Sequence, residues 1–192
     1  MENRQSGGDL RSKTALALGF FTHEEALAVE AAMGRIFPDD ELGPGAIEAG
    51  ALCYLDRALA GAEIHLQGFY RSGVRQLDVV ARTRFGRSFA ECAPAQQDDL
   101  IEAMARDALP AFGKAPAAPA FFESLRSHTI EGVFSDPVHG GNRDFAGWRL
   151  LGYPGPQPSY SHEEQQLDAV IVRDRIFTAA DYPLPSSEEG EP

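Results

Sequence analysis

Four residues in one short stretch carry side chains able to do chemistry: His128, Glu131, Asp136 and His139. His128 and Glu131 stand at i and i+3, so on a helix they share a face and could hold one ion. With His139 they outline a stand-alone metal-dependent enzyme. The same residue types also serve as surface or hydrogen-bonding groups, and in that role Glu131 would fasten the loop that follows it. Directly downstream lies Gly140-Gly141-Asn142-Arg143. Gly and Asn tolerate positive φ, so successive N–H groups there could cradle an anion such as a flavin pyrophosphate, with Arg143 assisting. No strand–loop–helix pattern surrounds the run, and a tight structural loop is the expectation. The chain has no G-x-S-x-G, P-loop, G-x-G-x-x-G or H-E-x-x-H, which favours binding over catalysis. The expectation is therefore no catalytic residue, no metal and no cofactor on this chain. Cys53 and Cys92 have neither CxxC nor finger spacing, which leaves two separate buried thiols or one disulfide.

The stretch must be positioned by helices. Thr22 and Glu25 form a capping-box pair, and Ala26, Val29, Met33, Ile36 and Phe37 then recur at helical spacing until Pro38. A second helix is predicted over 45–60, with Ile47, Ala51, Tyr54, Leu55, Ala58 and Leu59 as its apolar stripe. A third covers 67–85, with Tyr70, Val74, Leu77, Val80 and Ala81 inward and Arg71, Arg75, Asp78 and Arg82 outward. A fourth starts at Pro94 and stops at Pro110, burying Leu100, Ile101, Met104, Ala108 and Leu109. After a Pro/Ala linker over 111–120, a fifth runs from about Pro119 to Phe134. Residues 135–161 are too rich in Gly and Pro for a regular helix and are expected to be loop. That loop nevertheless carries Phe145, Trp148, Leu150, Leu151 and Tyr153, so it must pack on its own core or on a partner. Residues 168–172 (DAVIV) fit either a short strand or a last helical turn. The fold class is thus all-α, about five helices with a long structured Gly/Pro/aromatic loop near the C-terminus.

With 17 basic and 29 acidic residues the formal charge is −12, which argues against nucleic acid or an anionic membrane as partner. No apolar run approaches the roughly 20 residues that span a bilayer. Arg11–Phe21 is only faintly like an export signal: its apolar run is short, and no twin arginine precedes it. Residues 1–18 are expected to be a mobile lead-in, 19–182 a single domain, and 183–192 a disordered acidic tail. The compartment stays open between periplasm and cytoplasm.

The densest pattern is HTIEGVFSDPVHGGNRDFAGWRLLGYPGP, residues 128–156. Through Glu131-Gly132, Phe134, Asp136-Pro137, Gly140-Gly141-Asn142, Gly147-Trp148 and Gly152-Tyr153-Pro154-Gly155 it resembles the gluconate 2-dehydrogenase subunit 3 family. The opening helices, from Phe20-Phe21-Thr22 to Phe37-Pro38-Asp39-Asp40 and Pro44-Gly45-Ala46, are similar to that family too. The resemblance implies a non-catalytic small subunit that binds, stabilises and helps mature a large flavoprotein of the glucose-methanol-choline type. That partner would carry FAD and oxidise a sugar, glycoside or sugar acid, and a cytochrome c subunit often takes the electrons. Many such small subunits carry a twin-arginine signal, and this sequence shows none. The residues expected to bind the partner are Glu131, Phe134, Asp136, Pro137, Gly140, Gly141, Asn142, Trp148, Tyr153 and Pro154. For Trp148 two roles stand side by side: an interface anchor of large rigid area, or a plug for the domain's own core. Tyr153-Pro154-Gly155-Pro156 is expected to continue as an extended arm.

Overall fold

The computed structural model describes residues 17–171 and 175–182. Its helices are α1 (His23–Ile36), α2 (Ala46–Ala49), α3 (Ala51–Ala60), α4 (Gln67–Phe85), α5 (Pro94–Ala105), α6 (Ala118–Phe134) and α7 (Ala146–Leu151), with short 3-10 turns between them. Among the described residues there is no strand, only an isolated bridge between Asp40 and Gly43. The all-α expectation holds.

α1 starts as its capping box dictates. The Glu25 N–H donates to Thr22 Oγ1 at 3.2 Å, and the Thr22 N–H donates to Glu25 Oε2 at 2.9 Å. Its Ala26, Val29 and Met33 are buried, as the spacing predicts, with Ile36 and Phe37 packed at the edge of the core. α4 buries the predicted stripe from Tyr70 to Ala81. α6 is the central post: it touches every other α-helix of the fold, α3 most extensively. That crossing is close because Gly132 faces Ala51. A methyl group on Gly132 would come within 2.7 Å of the Ala51 Cα.

Three boundaries differ from the sequence reading. The single helix over 45–60 is two, broken at Gly50, whose φ of 73° ends α2 and starts α3. Helical periodicity runs through the break, but an L side chain in that conformation is strained. As a result Ile47 faces outward, half exposed, and is not part of the buried stripe. α5 ends at Ala105, ahead of Pro110, because Asp107 turns to φ 54°. Ala108 is then exposed, while Leu109 still reaches the core along with Phe112 of the linker. Third, the 135–161 stretch is not loop throughout: it contains α7 and two 3-10 turns, Pro137–His139 and Arg143–Phe145. Residues 168–171 form neither strand nor helix, and Val172 lies outside the described residues. So do residues 1–16 and 183–192, where the mobile lead-in and acidic tail were expected.

Candidate functional site

Asn142 organises the stretch after α6. It is fully buried at φ 46°, a left-handed conformation that Asn adopts more readily than most residues. Its own N–H donates to Gly132 O at 2.7 Å, and its Nδ2 donates to Ser135 O at 2.8 Å. Its Oδ1 accepts from the Gly147 N–H at 2.9 Å and, more weakly, from the Trp148 N–H at 3.4 Å. One side chain thus satisfies the end of α6 and the start of α7, where backbone groups otherwise lack partners. The contact requires small neighbours. A side chain on Gly141 would run into the Gly132 carbonyl, and one on Gly147 into the Val133 carbonyl.

Trp148 is 5% exposed. Its Nε1–H donates to Phe134 O at 2.8 Å, its ring stacks on Phe145 at 5.9 Å, and Tyr153 meets it edge-on at 5.0 Å. Of the two roles open to it in the sequence, it fills the one inside its own chain. Phe134 is partly buried against the edge of Phe37. Asp136 makes the expected exit turn, its Oδ1 accepting from the Val138 N–H at 3.0 Å. Its Oδ2 accepts from the Ala179 N–H at 2.7 Å, and Gly155 lies against the Phe177 backbone. The arm after Tyr153 therefore folds back onto this turn.

Gly140-Gly141-Asn142-Arg143 follows the tight structural turn expected of it, with Gly140 at φ 103° and Asn142 at φ 46°. The Gly140 N–H donates to Pro137 O and the Asn142 N–H to Gly132 O, so two of the four amides that would hold a pyrophosphate are engaged by carbonyls. His128, Glu131 and His139 are not brought together either. Among the described residues no group of three or more His, Cys, Asp or Glu could hold a metal ion. His128 is nearly buried, with Nδ1 at 2.7 Å from the Tyr70 hydroxyl and 2.8 Å from Ser124 O. Glu131 lies at the surface, accepting from the Tyr54 hydroxyl at 2.8 Å, and His139 is exposed on its 3-10 turn. Cys53 and Cys92 are both free thiols.

The Tyr54–Glu131 pair has a measurable signature. Burial, then the hydrogen bond to Glu131, then the charges of Glu131 and Glu63 push Tyr54 up to about 12. Tyr70 is driven up further still, by burial above all. A raised folded-state value means that the native state holds the proton more tightly than the unfolded chain does. The resulting stabilisation is complete below the ordinary tyrosine value near 10 and is lost as pH rises through about 12. In an alkaline titration followed by tyrosinate absorbance, Tyr54 should ionise after the ordinary tyrosines, and Tyr54→Phe should remove that late step. Loss of an ordinary step near pH 10 instead of the late one would mean that Tyr54 is not held above the usual tyrosine value.

Sequence reading missed Asp56. It is 3% exposed, and its carboxylate accepts the backbone N–H groups of Gly19 (2.6 Å), Phe20 (3.1 Å) and Phe21 (2.9 Å). This pins the segment leading into α1, and Arg71 closes the clamp with its guanidinium 4.8 Å over the Phe20 ring. A signal was present: Asp56 stands between Leu52, Leu55 and Leu59 on the buried face of α3, and a charge within an apolar stripe needs partners.

No helix of the described residues is long and apolar enough to cross a membrane. No curated protein and no solved structure matches the chain. The family model described as gluconate 2-dehydrogenase subunit 3 matches residues 16–155, a span that takes in the Asp56 clamp, the α3–α6 crossing and the whole Asn142 brace through Gly155. On that match the chain belongs to the gluconate 2-dehydrogenase subunit 3 family.

Proposed function

We propose that this chain is the accessory small subunit of a dehydrogenase, and that its partner is a glucose-methanol-choline-type flavoprotein that holds FAD and oxidises a sugar, glycoside or sugar acid. The supporting observation is what the family-motif residues do. Gly132, Gly141, Asn142, Gly147 and Trp148 fasten the 135–156 stretch onto α6, so its outer side is braced from within the chain. A preorganised surface loses little entropy on docking, which suits a subunit that works by holding another protein. Glu131, Asp136, Pro137, Tyr153 and Pro154 lie on or near that outer side, whereas Gly141, Asn142 and Trp148 support it from behind. Binding to the folded, FAD-loaded flavoprotein stabilises it by mass action, which covers both a maturation role and a lasting structural one. A cytochrome c subunit would complete the electron path beyond the flavoprotein.

Co-expression with a glucose-methanol-choline-type flavoprotein of the same genome tests the proposal. A yellow complex should co-elute on size exclusion, and the flavoprotein made without this chain should be insoluble or inactive. A colourless chain eluting apart from a fully active flavoprotein would refute it.

A further inference from the structure

The last described segment is laid over a turn that belongs to the family motif. Residues 175–182 lie beyond the family match, which ends at residue 155, yet they touch the matched part at two places. The Ala179 N–H donates to Asp136 Oδ2 at 2.7 Å. The Phe177 backbone lies on Gly155, which holds φ 87°, so closely that a methyl group on Gly155 would come within 2.3 Å of Phe177 O. The Asp136 turn does not depend on this segment, because Asp136 Oδ1 already accepts from the Val138 N–H. Oδ2 is left to a donor from outside the turn, and here Ala179 supplies it.

The segment keeps its own shape. Thr178 and Asp181 form a capping box around the 3-10 turn Ala179–Asp181. Arg175 pairs with Asp181 at 3.0 Å and stands 4.2 Å over the Phe177 ring, and Phe177 meets Tyr182 at 5.7 Å. Its aromatic rings thus pack on each other, and none of its side chains joins the hydrophobic core. The bond to Asp136 is at the surface, where water competes for both partners. Residues 156–171, which lead toward it, hold no helix or strand and are mostly exposed. A segment that is formed on its own and held through an exposed bond and a backbone contact can lift without unfolding the helices. We propose that residues 175–182 are a releasable cover over the Asp136 turn, which the flavoprotein displaces to place an N–H donor of its own on Asp136 Oδ2. A main-chain N–H carries no side-chain identity, so a donor from another protein can take the place of Ala179. The proposal rests on the subunit reading above and adds a step that controls docking.

Ala179→Pro tests it in the full chain. Proline suits the first position of the 3-10 turn, and Thr178 ahead of it is already extended at φ −125° and ψ 170°. The substitution therefore deletes the N–H and keeps the segment's own fold. Gly155→Ala releases the other contact by crowding Phe177 O. In the free chain, chymotrypsin should cut after Phe177 faster in both variants than in the wild type. Both should then bind the co-expressed flavoprotein about threefold tighter or more, since a site that is mostly covered loses affinity by its open fraction. In the wild type, binding should speed hydrogen exchange at the Ala179 amide, whereas burial of that amide in an interface would slow it. Slower exchange there, or variants that bind no tighter than the wild type, would overturn the cover and leave the subunit reading intact. Cleavage after Phe177 that neither variant speeds would also overturn it, because the segment would then be held by other means. Absence of any complex, with the wild type or either variant, would overturn both.

Discussion

Replacing Asn142 with alanine should destabilise the chain by about 3–5 kcal/mol, since it removes acceptors and a donor at a buried site and places alanine in a left-handed conformation. The side chain serves Ser135 O, the Gly147 N–H and the Trp148 N–H, and bulk solvent does not reach this fully buried position. The melting temperature should fall by roughly ten degrees, at a few degrees per kcal/mol for a domain of this size. Because Trp148 is this chain's single tryptophan and sits directly on the brace, its fluorescence should shift to the red in the variant before global melting. Two further substitutions separate the causes. Asn142→Gly keeps the φ of 46° accessible and loses only the side-chain bonds, so it should be milder than alanine. Asn142→Asp keeps the acceptor but turns a second oxygen on Ser135 O, so it should be destabilised at neutral pH and recover in acid, where the carboxyl can donate. An alanine variant that melts like the wild type would show that the 135–156 stretch is not held by this residue.

Replacing Asp56 with alanine should cost about 3 kcal/mol, because several buried amides lose their acceptor at once. The cost is bounded because residues 17–21 can detach and hydrate, and the variant then forfeits the packing of Phe20 and Phe21, which are 8% and 4% exposed. The signature is therefore local. Hydrogen exchange at Gly19, Phe20 and Phe21 should accelerate sharply while the amides of α6 stay protected. Asp56→Asn should fall between, since it keeps one acceptor oxygen but points an N–H₂ at backbone donors. Unchanged exchange at the three amides in Asp56→Ala would mean that they are held by packing alone.

These two residues also mark how far the sequence could be read. Helix existence was legible because it is written locally. Thr22 and Glu25 are three apart, the α4 stripe repeats every three to four residues, and Pro94 opens α5 with no reference to the rest of the chain. The family, too, was legible, since its motif is a string of residues in order. What stayed hidden was every feature whose partner is remote. The role of Asp56 stayed hidden because the three amides it serves lie 35 to 37 residues away. The break at Gly50 is invisible to periodicity, and the space it leaves is occupied by Arg143 from far along the chain. Residues 135–161 read as loop because Gly and Pro are poor helix formers, yet Asn142 caps a short helix there by bonding amides five and six residues ahead. Trp148 could have faced either way, and the Phe134 carbonyl with the rings of Phe145 and Tyr153 holds it inward. By itself the sequence determined the all-α class, most of the helices and the family. Tertiary structure decided which motif residues are buried within their own chain and which stay at the surface, because satisfying a buried polar group depends on neighbours that only the folded chain brings within reach.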